Sequence, residues 1–161
     1  MKEEKILRIL EDDARVGAGE IATMVGASES QVKKSIEKME KEGIIRRYKT
    51  IINWDKVGKD YVYAMIEVKI TPERGVGYDA IAERIAKFPE VISVRLISGG
   101  HDLSLLVKGQ TMRDVAFFVA EKIAPLEQIQ GTVTHFILRT YKEGGDIFYG
   151  KEEPKRLAIT L

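Results

Sequence analysis

Apolar residues recur at helical spacing up to residue 45 and at strand spacing after residue 60. Ile6, Leu7, Ile9 and Leu10 stand among Glu3, Glu4, Lys5, Arg8 and Glu11, which predicts an amphipathic helix over 3–13 that closes at Asp12-Asp13. Ile21, Ala22 and Val25 predict a short second helix over 18–25, and Gly26 suits a left-handed C-cap. Ser28-Glu29-Ser30-Gln31 matches a capping box, so a third helix begins there. With Val32 set at 0° and about 100° per residue, Ile36 falls at about 40° and Met39 at about −20°, a narrow apolar stripe. Ser30, Lys41, Lys34 and Lys38 fall between about 160° and 240°, so the opposite face is polar and mostly basic. Gly43 ends this helix, and Ile44-Ile45 followed by residues 46–52 predicts a short hairpin or wing.

Residues 54–60 are expected to be a linker, because the turn residues of Asn53-Trp54-Asp55-Lys56-Val57-Gly58 differ in composition from their neighbours. From Tyr61 the period changes to two. Val62, Ala64, Ile66, Val68 and Ile70 alternate with Tyr63, Met65, Glu67 and Lys69 in a strand, which Pro72 to Gly77 breaks. A helix over 78–87 carries Ile81, Ala82 and Ile85 and must stop before Pro89. Strands over 91–98 and 103–108 are joined by Gly99-Gly100-His101-Asp102, a hairpin whose glycines supply positive φ. A helix over 111–123 and a strand over 131–141 complete the order βαββαβ, a ferredoxin-like arrangement. Such a unit covers one sheet face with helices and leaves the other bare, and both sides of its first strand look largely apolar, so pairing with a second copy is expected. Beyond it, Gly144-Gly145 predicts a turn, Asp146-Ile147-Phe148-Tyr149 fits a short strand, residues 151–156 are charged and expected to be exposed, and Leu157 to Leu161 are apolar.

The predicted fold class is therefore α+β: a winged helix-turn-helix over 1–53, the linker, a ferredoxin-like domain over 61–143 for ligand binding and dimerisation, and a C-terminal extension over 144–161. A chain of 161 residues accommodates two small domains. It has no cysteine, which excludes disulfides and thiolate metal sites. No apolar run approaches the roughly 20 residues that span a bilayer, and the opening Met-Lys-Glu-Glu-Lys is unlike a signal peptide, so a cytoplasmic protein with no membrane partner is expected. A net charge of +1 carries no nucleic-acid signal by itself, but residues 31–49 hold seven basic against three acidic residues.

Ala22, Gly26, Ser28, Val32, Ile36 and Met39, followed by Gly43-Ile44-Ile45, have the spacing of a helix-turn-helix, in which the second helix is free to enter a DNA major groove. Candidate DNA contacts are Ser28, Ser30, Gln31, Lys33, Lys34, Lys38, Arg46, Arg47 and Lys49. Ser30 and Lys34 can reach bases or backbone and Gln31 can pair with adenine, while Lys38, Arg46, Arg47 and Lys49 suit phosphates. In the alternative reading the basic face is solvated, and Gln31 turns back to the helix start in the capping box. The second candidate site is Ser98-Gly99-Gly100-His101-Asp102. Its glycines expose N–H groups able to hold a carboxylate, and Asp102 can accept from an α-ammonium or fix the loop. The plain alternative is a hairpin whose aspartate caps its own turn. No P-loop, metalloprotease or nucleophile-elbow motif occurs, so no catalytic set, cofactor or metal is expected.

Residues 3–143 resemble the leucine-responsive/asparagine-synthesis regulators, the Lrp/AsnC family. The resemblance rests on Ala22 through Ile45 leading into Ile52-Asn53, and on Val91 and Val94 before Gly99-Gly100-His101-Asp102-Leu103, where the family pattern is Gly-x-aromatic-Asp and His101 stands for the aromatic. It implies a transcriptional regulator that binds double-stranded DNA and an amino-acid-like effector, as a homodimer that assembles further to an octamer. It places the effector at the 98–102 loop between subunits, with Thr134 and His135 on the last strand as further contributors. Many members carry an arginine near Lys34-Ser35, so operator preference does not transfer. Two other readings share the layout. A tetrapyrrole (siroheme) decarboxylase-like enzyme would use Arg95, His101, His135 and Arg139, and an architectural DNA-binding protein would have no effector.

Overall fold

The computed structural model describes residues 2–71 and 77–149. The chain forms two compact units that meet in sequence at Ile51/Ile52. In the first, α1 (Lys2–Asp12), α2 (Ala18–Val25) and α3 (Glu29–Lys41) bury Ile6, Ile21, Ala22, Val32 and Met39, and Leu10, Ile36 and Ile45 pack around them. Gly26 adopts φ 63° and turns the chain from α2 into α3, as expected of a left-handed cap. Ser28 accepts from the Gln31 N–H while the Gln31 side chain accepts from the Ser28 N–H, so both halves of the capping box form. Gly43, at φ 70°, turns the chain out of α3, and the Ile44 and Ile45 N–H groups both fold back onto the Met39 carbonyl.

The predicted hairpin after Gly43 is not formed: residues 44–53 hold no strand. Its first two N–H groups are used in closing α3, and the described part of this unit offers no strand to pair with the rest.

The second unit opens with a 3-10 turn (Trp54–Val57) and continues through β1 (Val62–Ile70), α4 (Asp79–Ala86), β2 (Val91–Leu96), β3 (Leu103–Gly109), α5 (Met112–Phe118), a π turn (Val119–Ile123) and β4 (Ile129–Ile137). The sheet is antiparallel in the order β2-β3-β1-β4, the ferredoxin-like topology. Ala64, Ile66, Val68 and Ile70 of β1, with Leu103, Leu105 and Val107 of β3, bury their side chains against Ile81 and Ile85 of α4 and Val115 and Phe118 of α5. β4 ends at Ile137, so Arg139 lies beyond the strand predicted to hold it.

The uncovered face is less apolar than the sequence suggested. On β1 it carries Tyr63, Met65, Glu67 and Lys69, opposite Lys108, Leu106 and Ser104 of β3 and Ile137, His135 and Val133 of β4. Met65, Val133 and Ile137 are each 40% exposed, so an apolar patch persists around a polar centre. β5 (Lys142–Glu143) and β6 (Asp146–Ile147) form a small hairpin on Gly144 and Gly145, both at positive φ as a tight two-residue turn requires. It straddles the expected end of the domain at residue 143. The expectations for 151–161, and most of the break at 72–77, lie outside the described residues.

Candidate nucleic-acid interface and ligand loop

The basic candidates fall into two groups. Lys33 pairs with Glu29 one turn earlier on α3, and Lys38 Nζ reaches Glu3 of α1 at 3.1 Å; hydrogen bonding to these carboxylates raises both ammonium pKa values. Such exposed, solvent-screened pairs contribute little to stability, so either lysine is readily surrendered to a phosphate. Lys34, Lys41, Arg46, Arg47 and Lys49 are exposed and form no ion pair among the described residues. Ser30 is exposed at the start of α3.

Ser28 and Gln31 hold the capping box. Gln31 Oε1 receives the Ser28 N–H at 3.0 Å and is spoken for, so bidentate adenine pairing would cost the cap. The sequence reading missed Tyr48, whose hydroxyl donates to Glu40 Oε1 at 2.8 Å. Its only sequence signal was an aromatic inside a basic run.

In the candidate ligand loop, Ser98, Gly99 and Gly100 are exposed. Gly99 adopts φ 131°, whereas Gly100 does not have positive φ, contrary to the expectation for both glycines. Asp102 faces into the fold: its Oδ2 accepts the Ile70 N–H at 2.8 Å, Lys69 Nζ lies 3.2 Å away, and the Tyr78 hydroxyl is 3.4 Å from Oδ1. The Ile70 N–H above all, then Lys69 and Tyr78, hold its pKa below the usual carboxylate range against the opposing effect of burial. Of the roles considered for Asp102, the geometry realises loop fixing. It caps the end of β1, at a register shift between Lys69 and Ile70, rather than its own turn.

The two histidines converge on a residue the sequence reading did not single out. Glu67 Oε2 lies 3.2 Å from His135 Nε2 and 3.7 Å from His101 Nδ1, on the uncovered face of β1. Thr134 does not join them. It pairs in register with Ile66, which is buried among the core residues, so it sits on the helix-covered face, opposite His135. The four groups of the decarboxylase reading are dispersed: Arg95 donates to Ser93 Oγ at 2.9 Å, Arg139 stacks on Tyr141 and Tyr149, and both histidines face Glu67. Among the described residues no group of three or more histidine, aspartate or glutamate side chains is placed to hold a metal, and no helix is long and apolar enough to cross a membrane.

The expected linker also carries structure. Lys108 Nζ stands 3.4 Å from the Tyr61 ring centroid, 5.1 Å from Trp54 and 5.8 Å from Tyr63, and Trp54 packs edge-on against Tyr61. These cation–π contacts fasten the 3-10 turn to the sheet.

Residues 63–147 match the Lrp/AsnC ligand binding domain, and residues 2–46 match a winged helix-turn-helix DNA-binding family. The chain is 46% identical over 160 residues to an uncharacterized HTH-type transcriptional regulator of Bacillus subtilis, YugG, covering 99% of this chain and 96% of the relative. A second uncharacterized HTH-type regulator, from Pyrococcus horikoshii, is 32% identical over 86% of this chain and 85% of its own length. Among solved structures, an AsnC family transcriptional regulator from Agrobacterium tumefaciens aligns with a TM-score of 0.69 at 27% identity, over 95% of both chains. A transcriptional regulator of Neisseria meningitidis, solved as an L-Met complex, aligns with a TM-score of 0.70 at 25% identity, over 88% of this chain and 91% of that one.

Proposed function

The chain belongs to the Lrp/AsnC family of DNA-binding transcriptional regulators, which are not enzymes, and we propose that an amino acid or a close relative, bound at the 98–102 loop between copies of the chain, regulates its DNA binding. The observation that carries this reading is the exposed Ser98-Gly99-Gly100 backbone beside the uncovered sheet face bearing His101, Glu67 and His135. The loop N–H groups suit the ligand carboxylate. Glu67 is the acceptor for its ammonium, because the Asp102 carboxylate is already engaged by Ile70, Lys69 and Tyr78. The L-Met complex of the Neisseria regulator supports the ligand class.

The apolar patch around Met65, Val133 and Ile137 is the surface on which two copies pair, and such dimers assemble further. A ligand seated between copies favours one assembly only by its differential affinity for the two states, and thereby re-spaces the recognition helices. On DNA, Ser30 and Lys34 reach bases or backbone, and Lys38, Arg46, Arg47 and Lys49 neutralise phosphates.

The test has two arms. Selection from a randomised duplex pool identifies a binding sequence, and the Lys34→Ala, Lys38→Ala double variant then binds it more weakly, with a salt slope lower by about 0.9 for each phosphate no longer neutralised. Unchanged retention would assign DNA binding to another face. A thermal-shift screen of the twenty amino acids tests the ligand: a regulator without an effector predicts no rise with any of them.

A further inference from the structure

The run Arg46-Arg47-Tyr48-Lys49 sets one aromatic among three cations. It holds no strand, and among the described residues no backbone–backbone hydrogen bond is donated by residues 46–53. Beyond Ile45, the side-chain hydrogen bond that joins the run to the helices among the described residues is the one from the Tyr48 hydroxyl to Glu40 on α3, at 2.8 Å. Burial raises the phenol pKa, and Glu40 raises it further, so Tyr48 remains a protonated donor at neutral pH.

Where Glu40 stands on α3 matters. At about 100° per residue it lies about 80° from Val32, on the flank between the buried stripe and the basic face centred near 200°. Tyr48 therefore draws the run to the edge of the helix face that carries Lys34, Lys38 and Lys41. Glu40 by itself repels a phosphate backbone, so an acidic residue at this position serves DNA binding only through what it holds.

We propose that Tyr48 is a positioning residue of the DNA interface: its hydroxyl, held by Glu40, fixes the basic run beside α3 so that Arg46, Arg47 and Lys49 meet phosphates in register with the recognition helix. This rests on the reading that those three cations face DNA, and it assigns Tyr48 and Glu40 no contact with DNA themselves.

The probe is a 30-base-pair duplex enriched from a randomised pool by the wild-type protein, with folding checked by circular dichroism at the assay temperature. Tyr48→Phe keeps the ring and removes the donor. Its affinity falls about five- to tenfold, the scale of one exposed intramolecular hydrogen bond, while the slope of log affinity against log salt is unchanged because every cation that meets a phosphate is kept. Arg47→Ala instead lowers that slope by about 0.9. Glu40→Gln keeps an acceptor and binds at least as tightly as wild type. Glu40→Ala removes the same charge together with the acceptor, binds about five- to tenfold more weakly than Glu40→Gln, and leaves Tyr48→Phe no further effect in its background. Wild-type affinity in Tyr48→Phe, or equal affinity of Glu40→Ala and Glu40→Gln, overturns the proposal. An unchanged salt slope in Arg47→Ala, Lys49→Ala and Arg46→Ala alike would instead overturn the DNA reading of the run.

Discussion

The Asp102 carboxylate lies among the Ile70 N–H, the Lys69 ammonium and the Tyr78 hydroxyl, and its folded-state pKa is depressed. A depressed acid stabilises the fold at pH values above its unfolded pKa, near 3.9, and that contribution is lost as pH falls through the folded value. Asp102→Asn keeps the shape and removes the charge, so it should melt below wild type at pH 7, with the difference shrinking as pH drops below about 4. Thermal melts from pH 7 to pH 2.5 check this, and a constant difference would assign the loss to packing. At this scale legibility followed sequence distance. The capping box of Ser28 and Gln31 spans four residues and was readable in full. Glu67 was not, because it meets His101 and His135 across 34 and 68 positions of chain, through a strand register that periodicity does not set. The same register separates Thr134 from His135, neighbours in sequence on opposite faces.

Among the elements, the five helices and the four long strands were legible because each keeps one period and is bounded by its own turn residues. Gly26 illustrates this: its φ of 63° is what a glycine after Val25 implies. A Cβ built there meets nothing within 4 Å, so Gly26→Ala should cost only backbone strain, about 1 kcal/mol, without displacing α3. Chemical denaturation measures the loss, and a cost above about 3 kcal/mol would mean the turn itself rearranges. Of the hairpin or wing expected after Gly43, the hairpin does not form: Ile44-Ile45 and Ile51-Ile52 flank a polar run with strand-like composition, while pairing depends on a partner that composition does not supply. The expected linker carries structure that its composition does not show: Trp54 and Tyr61 look like isolated aromatics in sequence, and Lys108, which gathers them, lies on β3.

For the molecule as a whole, a net charge of +1 concealed a division of labour. The first unit concentrates exposed cations along α3 and the run after it; the second leaves one sheet face uncovered, with a histidine–glutamate–histidine cluster and an exposed glycine loop. Each unit has its own core, so the helix-turn-helix and the Lrp/AsnC ligand binding domain are separately packed bodies. The fold class was legible from the two periods in succession, and the family from two signatures. The proposed ligand site was legible as a loop but not as a chemical environment, since Glu67, which we propose in place of Asp102 as ammonium acceptor, comes from β1.

The central claim is that the 98–102 loop binds an amino-acid-like ligand, and melting wild type and Gly100→Glu side by side against each of the twenty amino acids tests it most directly. Gly100 has open space and ordinary φ, so the glutamate variant folds while placing a carboxylate where the ligand's would lie. At least one amino acid should raise the wild-type melting temperature, by an amount equivalent to about 2.7 kcal/mol at a hundred times its dissociation constant, and should leave Gly100→Glu unchanged. A shift of equal size in both proteins, or none in wild type, would contradict it.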